Sequence, residues 1–202
     1  MSVEDRLALR EAIENWVIWR DSGDWDRFAT LWHPDGRMHA TWFQASATDF
    51  IARSRKAFAS GLTVLHTVSG SSVDVSKDRA ISQTRNTIMQ RAEVHGILVD
   101  VICYGRFWDA WEKVAGRWLL RLRQPIYELD HMIPVDPGAA PALDPELLAS
   151  FPMGYRNLGY LQTQLGLEVY RSMPGTRGAE IDALMARGRA WLAGEAAKCL
   201  IA

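Results

Sequence analysis

The chain has 202 residues, of which 48% are hydrophobic, and a formal net charge of -1 at pH 7. This length suits one core domain with an appendage. The balanced charge excludes the basic excess of a nucleic-acid binder, and the apolar content argues against a disordered chain. We recognise no export signal and no apolar run long enough to cross a membrane, so neither a nucleic acid nor a membrane is expected as a partner.

The first part of the chain is predicted to be mainly helical. Apolar residues at helical spacing predict a helix over residues 3–20, which the Asp21-Ser22-Gly23-Asp24 run would end. Thr48 is placed to cap a later helix. The elements expected after the first helix are a short helix, a turn, a strand and the Thr48-capped helix, over residues 25–32, 33–36, 37–43 and 49–60.

After Gly61 the pattern changes to period two, and β-branched residues become frequent, which is typical of strands. Two short polar runs, at residues 76–79 and 113–116, have the composition of hairpin turns. Helices followed by an antiparallel meander indicate the α+β class. The four predicted strands cover residues 63–75, 80–91, 98–112 and 117–127.

A linker rich in proline and alanine, PVDPGAAPALDP, follows the last predicted strand at residues 134–145. We therefore expect a core domain over residues 1–133 and a helical extension over residues 134–202, packed on the core or on a partner subunit. The helices predicted in the extension cover residues 145–150, 155–169 and 179–194.

Asp21 and His66 are the candidate catalytic residues. A helix laid across a curved sheet can bring the end of the first helix close to the first long strand, so these two side chains could meet. A carboxylate that accepts one imidazole N–H leaves the other ring nitrogen free to act as a base. The aspartate would orient the ring and stabilise its cation after proton uptake.

Structural roles are the alternatives for both residues. Asp21 could accept backbone N–H groups in the turn that follows the helix. His66, beside Leu65 and Val68, could be a hydrogen-bonded histidine of the core. The sequence leaves both pairs of alternatives open.

No motif points to a cofactor or a metal. Neither a dinucleotide or phosphate-binding glycine motif nor a Gly-x-Ser-x-Gly nucleophile turn is present. The histidines form no ligand cluster, and the two cysteines, Cys103 and Cys199, indicate neither a disulfide framework nor a thiolate site. We therefore expect no cofactor, no metal and a reducing, cytoplasmic location.

Several strand residues could face a cavity and bind a substrate, although one bulge would reverse the face of each. An arginine there could stabilise an anionic leaving group or an enolate, whereas a surface ion pair is the more ordinary role of an arginine. The candidates are Trp42, Arg85, Asp100, Tyr104, Trp108, Arg123 and Tyr127.

Five local sequences, taken in order, resemble the nuclear-transport-factor-like superfamily and, within it, the SnoaL-like branch. They cover about the first two thirds of the chain. Each is weak alone, and their order and spacing carry the resemblance. They are W-x-x-W-R-D-S-G-D-W-D from Trp16, L-W-H-P-D-G from Leu31, L-H-T-V from Leu65, Y-G-R-F-W-D-A-W from Tyr104 and G-R-W-L-L from Gly116.

The resemblance implies a cone-shaped roll, in which a curved, mostly antiparallel sheet wraps around N-terminal helices and encloses a cavity, with the C-terminal helices as an addition. It also implies catalysis without a cofactor. Scytalone dehydratase and hexachlorocyclohexane dehydrochlorinase, two such enzymes, use an Asp–His dyad, and the matching positions are Asp21 and His66. Many relatives are dimers or trimers, so a homo-oligomer is expected.

The chain departs from these relatives at two positions. Trp16 stands where the dehydrochlorinase has a lysine, which argues against the same halide-assisting group, and we place Trp16 with the substrate-binding candidates. Met89 or Gln90 stands where scytalone dehydratase has a second catalytic histidine. Help for the leaving group must then come from elsewhere. Arg123, Tyr104 and Tyr127 are candidates, and the sequence leaves this role unassigned.

The function predicted is a cofactor-independent lyase. His66, oriented by Asp21, would remove a proton from a hydrophobic, aromatic or polycyclic small molecule, and elimination would follow, as in a dehydratase. An isomerase or cyclase that uses the same pocket is the alternative within the enzymes, and retro-aldol cleavage would need similar groups. A non-catalytic module that binds small molecules remains open too, because fold does not fix function.

Overall fold

The computed structural model describes residues 2–201. Its six α-helices are α1 Val3–Ser22, α2 Trp25–Ala29, α3 Ala47–Ala59, α4 Pro145–Ala149, α5 Arg156–Gln164 and α6 Ala179–Ala193. Its six strands are β1 Trp32–Ala40, β2 Phe43–Ser46, β3 Thr63–Ser76, β4 Arg79–Val94, β5 Ile97–Val114 and β6 Arg117–Pro134. Short 3₁₀ turns occur at Met153–Tyr155 and Ala197–Leu200.

The six strands form one curved, open sheet in the order β2-β1-β6-β5-β4-β3. Strands β3 to β6 make the predicted antiparallel meander, and β1 joins β6 in parallel. Helices α1 to α3 lie inside the curve of the sheet, and the predicted α+β cone-shaped roll with N-terminal helices and a C-terminal helical extension is therefore confirmed.

Helix α1 begins and ends at residues with clear capping roles. The Ser2 hydroxyl oxygen accepts the Asp5 backbone N–H at 3.1 Å, which satisfies one free N–H of the first turn. Gly23 ends the helix in the left-handed conformation, with φ of 76°. The helix thus runs two residues beyond the predicted end, and Asp21 lies in its last turn instead of after it.

The prediction around the first strand was wrong in two respects. Residues 33–36, expected as a turn, lie within β1, where the pairing with β6 shifts between Trp32 and Arg37. This irregularity lets β1 start five residues earlier than predicted, so α2 stops at Ala29 and does not reach Trp32. The chain then reverses after Ala40, which divides the predicted strand into β1 and β2.

Ser46 caps helix α3, and the prediction of Thr48 as its cap was wrong. The Ser46 hydroxyl oxygen accepts the Asp49 backbone N–H at 3.1 Å, and the same hydroxyl donates to the Asp49 carboxylate at 2.7 Å. This reciprocal pair holds the first turn, and Thr48 lies inside it.

The two faces of the sheet bury different helices, because successive residues of a strand point to opposite sides. On the concave side, Trp16 of α1 packs in one core with Phe107 of β5. Farther along the same face, Cys103 packs with Leu158 of α5. On the convex side, Trp108 packs in a third core with α6.

An ion pair between Arg123 and Asp109 lies fully inside the protein. The guanidinium donates to both carboxylate oxygens, at 2.7 and 2.8 Å, and both side chains are 0% exposed. The Arg123 guanidinium also lies over the rings of Trp16 and Phe107, at 4.2 and 4.0 Å from their centroids. A buried charge of this kind depends on its partner, since removing the partner leaves the charge without compensation.

We expect Asp109→Ala to lower the free energy of unfolding by about 3–5 kcal/mol, because Arg123 would keep its charge in an apolar site without a carboxylate. Urea denaturation followed by tryptophan fluorescence would measure the change. Asp100→Ala is the matched control, because it breaks an equally close pair with Arg91 at the protein surface. Equal stability losses in the two variants would contradict this account.

Across residues 2–201, none of the helices combines the length and the apolar character that a membrane-crossing helix requires.

Candidate active site

A cavity of about 600 Å³ opens between the concave face of the sheet and helices α1, α3 and α5. Its size is within the range typical of small-molecule sites. Most of its wall is apolar or aromatic, including Trp16, Met38, Trp42, Phe50 and Phe107. The polar and charged residues of the wall are Arg20, Thr41, Arg53, Ser54, Lys56, Ser60, His66, Gln90, Tyr127 and Gln162.

Asp21 and His66 are in direct contact beside this cavity. Asp21 Oδ1 lies 2.9 Å from His66 Nδ1, and Asp21 Oδ2 accepts the backbone N–H of His66 at 2.6 Å. The two bonds fix the carboxylate against β3, and the imidazole lies between Asp21 and the cavity. His66 Nε2 has no hydrogen-bond partner anywhere in residues 2–201.

The protonation of the pair follows from this geometry. Burial alone would raise the pKa of the Asp21 carboxyl, but the hydrogen bond and charge of His66 and the charge of Arg20 outweigh it, and the pKa is lowered. Asp21 is therefore an anion near neutral pH and can only accept, so Nδ1 of His66 donates. The remaining nitrogen, Nε2, carries a free lone pair, as a general base requires.

Burial also lowers the pKa of His66, and the nearby charges of Arg20 and Arg123 add to this effect, whereas the Asp21 carboxylate opposes it. His66 is thus neutral at physiological pH. Arg20 contributes in a second way, because its guanidinium donates to Asp21 Oδ1 at 3.0 Å and to the Val64 carbonyl oxygen at 3.4 Å. These bonds tie the end of α1 to β3.

Aromatic rings hold the imidazole in place. The ring of Trp16 meets that of His66 edge to face, with centroids 5.4 Å apart, and the Phe107 ring lies 6.0 Å away. Only 7% of the His66 side chain is exposed. A ring packed on both sides in this way has little freedom to turn away from Asp21.

A chain of polar groups from three elements lines another part of the wall. Thr41 donates its hydroxyl hydrogen to Gln162 Oε1 at 2.7 Å, and Gln162 Nε2 donates to Gln90 Oε1 at 3.4 Å. The Tyr127 hydroxyl oxygen accepts the Thr41 backbone N–H at 3.4 Å. The Thr41 hydroxyl also interacts with the Tyr127 hydroxyl, so both polar groups of Thr41 hold the phenol at the cavity wall.

The structure brings five of the ten candidate residues to one place. His66, Trp16, Trp42 and Tyr127 line the cavity, and Asp21 lies directly behind His66. Of the two positions considered for a second histidine, Gln90 lines the cavity, whereas Met89 does not.

Tyr104 does not line the cavity, which corrects its prediction as a substrate-binding residue. It is 38% exposed on the other face of the sheet, with its ring 5.6 Å from that of His131. Strand β5 alternates without interruption here, so Tyr104 shares the outward face of Trp108, whereas Cys103 and Phe107 face the concave side. A bulge does occur opposite this point, but in β6, because Tyr104 pairs with Leu129 and Gly105 with Tyr127, which leaves Glu128 as the extra residue.

Gly105 permits this bulge. A Cβ atom at that position would collide with the carbonyl oxygen of Ile126, so only glycine allows the two strands to approach so closely.

Arg123 is also absent from the cavity wall, contrary to the prediction. Its side chain is fully buried and paired with Asp109, behind the rings of Trp16 and Phe107. It reaches His66 only through its charge. The other three strand candidates, Arg85, Asp100 and Trp108, do not line the cavity either.

Sequence reasoning missed the basic residues of α3 and did not identify which residues of the C-terminal extension reach the cavity. Arg53 and Lys56 lie one turn apart on α3, a spacing that is visible in the sequence. Gln162 comes from the C-terminal extension, and no local pattern predicts that this segment enters the cavity. No group of three or more potential metal ligands occurs among residues 2–201.

Comparison with known proteins defines the class of this fold and site. The family model described as a SnoaL-like domain matches residues 1–124. The chain belongs to the SnoaL-like family, which confirms the predicted resemblance.

Similar proteins come from fungi. Pea pathogenicity protein 2 of Fusarium vanettenii is 38% identical, over 95% of this chain and 87% of its own length. An uncharacterized protein of Emericella nidulans is 34% identical, over 96% of this chain and 88% of its own length. Both relatives thus extend through the C-terminal segment that the family model does not cover.

Solved structures share the fold at low sequence identity. A protein of Novosphingobium aromaticivorans assigned as a scytalone dehydratase aligns with a TM-score of 0.54 and 21% identity, over 68% of this chain and 96% of its own. A hexachlorocyclohexane dehydrochlorinase aligns with a TM-score of 0.54 and 12% identity, over 71% and 95%. At these identities the comparison establishes the fold alone.

Proposed function

We propose that this protein is a cofactor-independent lyase that acts by general-base proton abstraction and elimination on an aromatic or polycyclic small molecule. The observation that carries the proposal is the 2.9 Å contact between Asp21 Oδ1 and His66 Nδ1, with Nε2 free beside an apolar cavity. A base in this position needs a neutral imidazole, and burial supplies one by lowering the pKa of His66.

The reaction begins when His66 Nε2 takes a proton from a carbon next to the substrate carbonyl. The electron pair of the broken C–H bond forms the enolate, and Asp21 stabilises the imidazolium by the hydrogen bond at Nδ1. The enolate then expels hydroxide from the neighbouring carbon and forms the new double bond. The proton on Nε2 passes to this hydroxide, so that water leaves and His66 is neutral again.

Tyr127 is the group that would stabilise the enolate oxygen. Burial raises the pKa of its hydroxyl, so it stays a neutral donor throughout the working pH range. Of the three groups that the sequence offered as help for the leaving group, it alone lines the cavity. A hydrogen bond that strengthens as charge develops on oxygen lowers the barrier to proton removal.

Tyr127→Phe should lower turnover about 10²-fold with little change in substrate affinity, because the lost hydrogen bond acts mainly on the enolate. Steady-state kinetics would measure both quantities. Tyr155→Phe is the matched control, since it removes a hydroxyl from the neighbouring ring outside the cavity. Equal losses of turnover in the two variants would remove the proposed role of Tyr127.

A second candidate function, isomerisation, rests on one feature of the wall. His66 is the only imidazole of the cavity among residues 2–201, and no carboxyl side chain lines the cavity in that range. One base that removes a proton and returns it to another carbon is sufficient for an isomerase. Cyclase chemistry would use the same proton transfer.

Incubation in deuterium oxide would separate these functions. The compounds tested would be a panel of fused-ring β-hydroxyketones, the matching ketones without the hydroxyl group, and chlorinated cyclohexanes. Mass spectrometry that detects loss of water or hydrogen chloride would support a lyase. Deuterium uptake with a displaced double bond and no loss of mass would support an isomerase. If neither change occurs with any compound that binds, the protein is a binding module and the proposal is wrong.

A further inference from the structure

The charged side chains that line the cavity are all basic. They belong to Arg20, Arg53 and Lys56, whereas no Asp or Glu of the described residues contributes to the wall. The protein as a whole has a net charge of -1, so this accumulation of positive charge is local and does not reflect the composition.

The three basic side chains differ in whether a carboxylate of the protein pairs with them. Arg20 pairs with the Asp21 carboxylate at 3.0 Å and is only 12% exposed. Arg53 and Lys56 have no ion-pair partner within residues 2–201, and the one contact of the Arg53 guanidinium is with the ring of Phe43, at 5.3 Å from its centroid. Two positive charges at the cavity are thus left without a counter-ion from the protein.

Arg53 and Lys56 stand together at the entrance. They are three residues apart on α3, a spacing that places both on one side of the helix. Both are exposed, whereas Trp16 and Phe107 of the same wall are buried. An anionic group held at this entrance would leave the apolar body of a ligand free to extend toward His66.

We infer that the substrate is an aromatic anion, whose carboxylate or phenolate is bound by Arg53 and Lys56 while its ring system fills the apolar interior. The inference rests on the proposed function for the location of the substrate and adds its charge. Charge-assisted hydrogen bonds to an arginine and a lysine are stronger than neutral ones, and a partly apolar setting reduces screening by water. A neutral ligand would gain only the weaker hydrogen bonds of an uncharged acceptor.

Isothermal titration calorimetry with two ligands of the same shape tests this inference. The probes are 2-naphthoate and its uncharged amide, 2-naphthamide. We expect the wild-type protein to bind the naphthoate about tenfold or more tightly than the amide. The double variant Arg53→Gln/Lys56→Gln should bind the two probes with similar affinity, and added salt should weaken only the binding of naphthoate by the wild type.

The control is the double variant Arg55→Gln/Lys77→Gln. It removes the same charge from exposed positions, one of them on the same helix, that do not line this cavity. It should keep the wild-type preference for naphthoate. Equal affinity of the wild type for both probes, failure to bind the naphthoate, or an equal loss of preference in the two double variants would overturn the inference.

The two proposals fail in different ways. If naphthoate is not preferred, but His66→Ala still abolishes turnover of a neutral compound, the inferred substrate charge is wrong and the lyase remains. If naphthoate is preferred at Arg53 and Lys56, but no compound of either charge reacts, the charge of the ligand stands and the catalytic proposal is wrong.

Discussion

Replacing His66 by alanine is expected to lower turnover by about 10³ to 10⁴-fold, because His66 is the only imidazole that lines the cavity within residues 2–201. The compound that reacts in the deuterium oxide panel would serve as substrate. Substrate affinity should change little, since the aromatic walls remain. Added imidazole should restore part of the activity, because the vacated space lies beside the cavity.

His131→Ala provides the control for this experiment. His131 lies against Tyr104 on the outer side of the sheet, away from the cavity. This variant should keep wild-type activity. Wild-type rates in His66→Ala, with the fold intact by circular dichroism, would show that the imidazole is not the base.

Asp21→Asn is the second substitution for which a large effect is expected, a loss of about 10² to 10⁴-fold in kcat/KM. The amide can donate a hydrogen to His66 Nδ1, which would put the ring proton on Nε2 and leave no lone pair facing the substrate. It also removes the negative charge that stabilises the imidazolium. The imidazole remains in the cavity, so this variant separates the orientation of the base from its presence.

The pH profile gives a second readout for the same variant. In the wild type, kcat/KM should rise with pH through the lowered pKa of His66 and reach a plateau near neutral pH, because the neutral ring is the active form. Loss of the carboxylate favours the neutral ring further, so the rising limb should move to lower pH while the plateau falls. A shift of the rising limb to higher pH would contradict the assigned effect of the Asp21 carboxylate on the pKa of His66.

Asp24→Asn is the matched control for Asp21→Asn. Asp24 caps α2 through its side chain, and asparagine caps helices equally well. The same charge is removed three residues away from Asp21, outside the cavity. The pH profile of kcat/KM for Asp24→Asn should overlay that of the wild type. If Asp24→Asn lowered kcat/KM as much as Asp21→Asn does, the effect would be due to net charge.

Local patterns predicted most of the helices and the long strands, because these elements have strong periodicity and clear turns. The contact of Asp21 with His66 was a hypothesis, since it depends on how α1 crosses β3, and the structure places the two residues 2.9 Å apart. What failed depended on register. Tyr104 points outward because β5 alternates regularly through it, and the periodicity of a strand does not say which alternate set of residues faces the cavity.

Arg123 was misplaced for a different reason. Sequence reasoning assigns a strand residue to a face of the sheet, and that assignment was correct, since Arg123 contacts Trp16 on the concave side. Its accessibility depends on what packs above it, and two aromatic rings and Asp109 enclose it. Long-range packing of this kind has no signature in local periodicity.

The position of Gln162 has a consequence for how such proteins diversify. Strands β3 to β6 are locked by paired backbone hydrogen bonds, so their cavity residues can change identity but not place. Helix α5 is tied to β6 by the Asp130 side chain and not by strand pairing, and it reaches the cavity from a part of the chain outside the matched family domain. A shift or an insertion before α5 would reshape the cavity without disturbing the Asp21–His66 pair, so new specificities can arise by exchanging the tail alone.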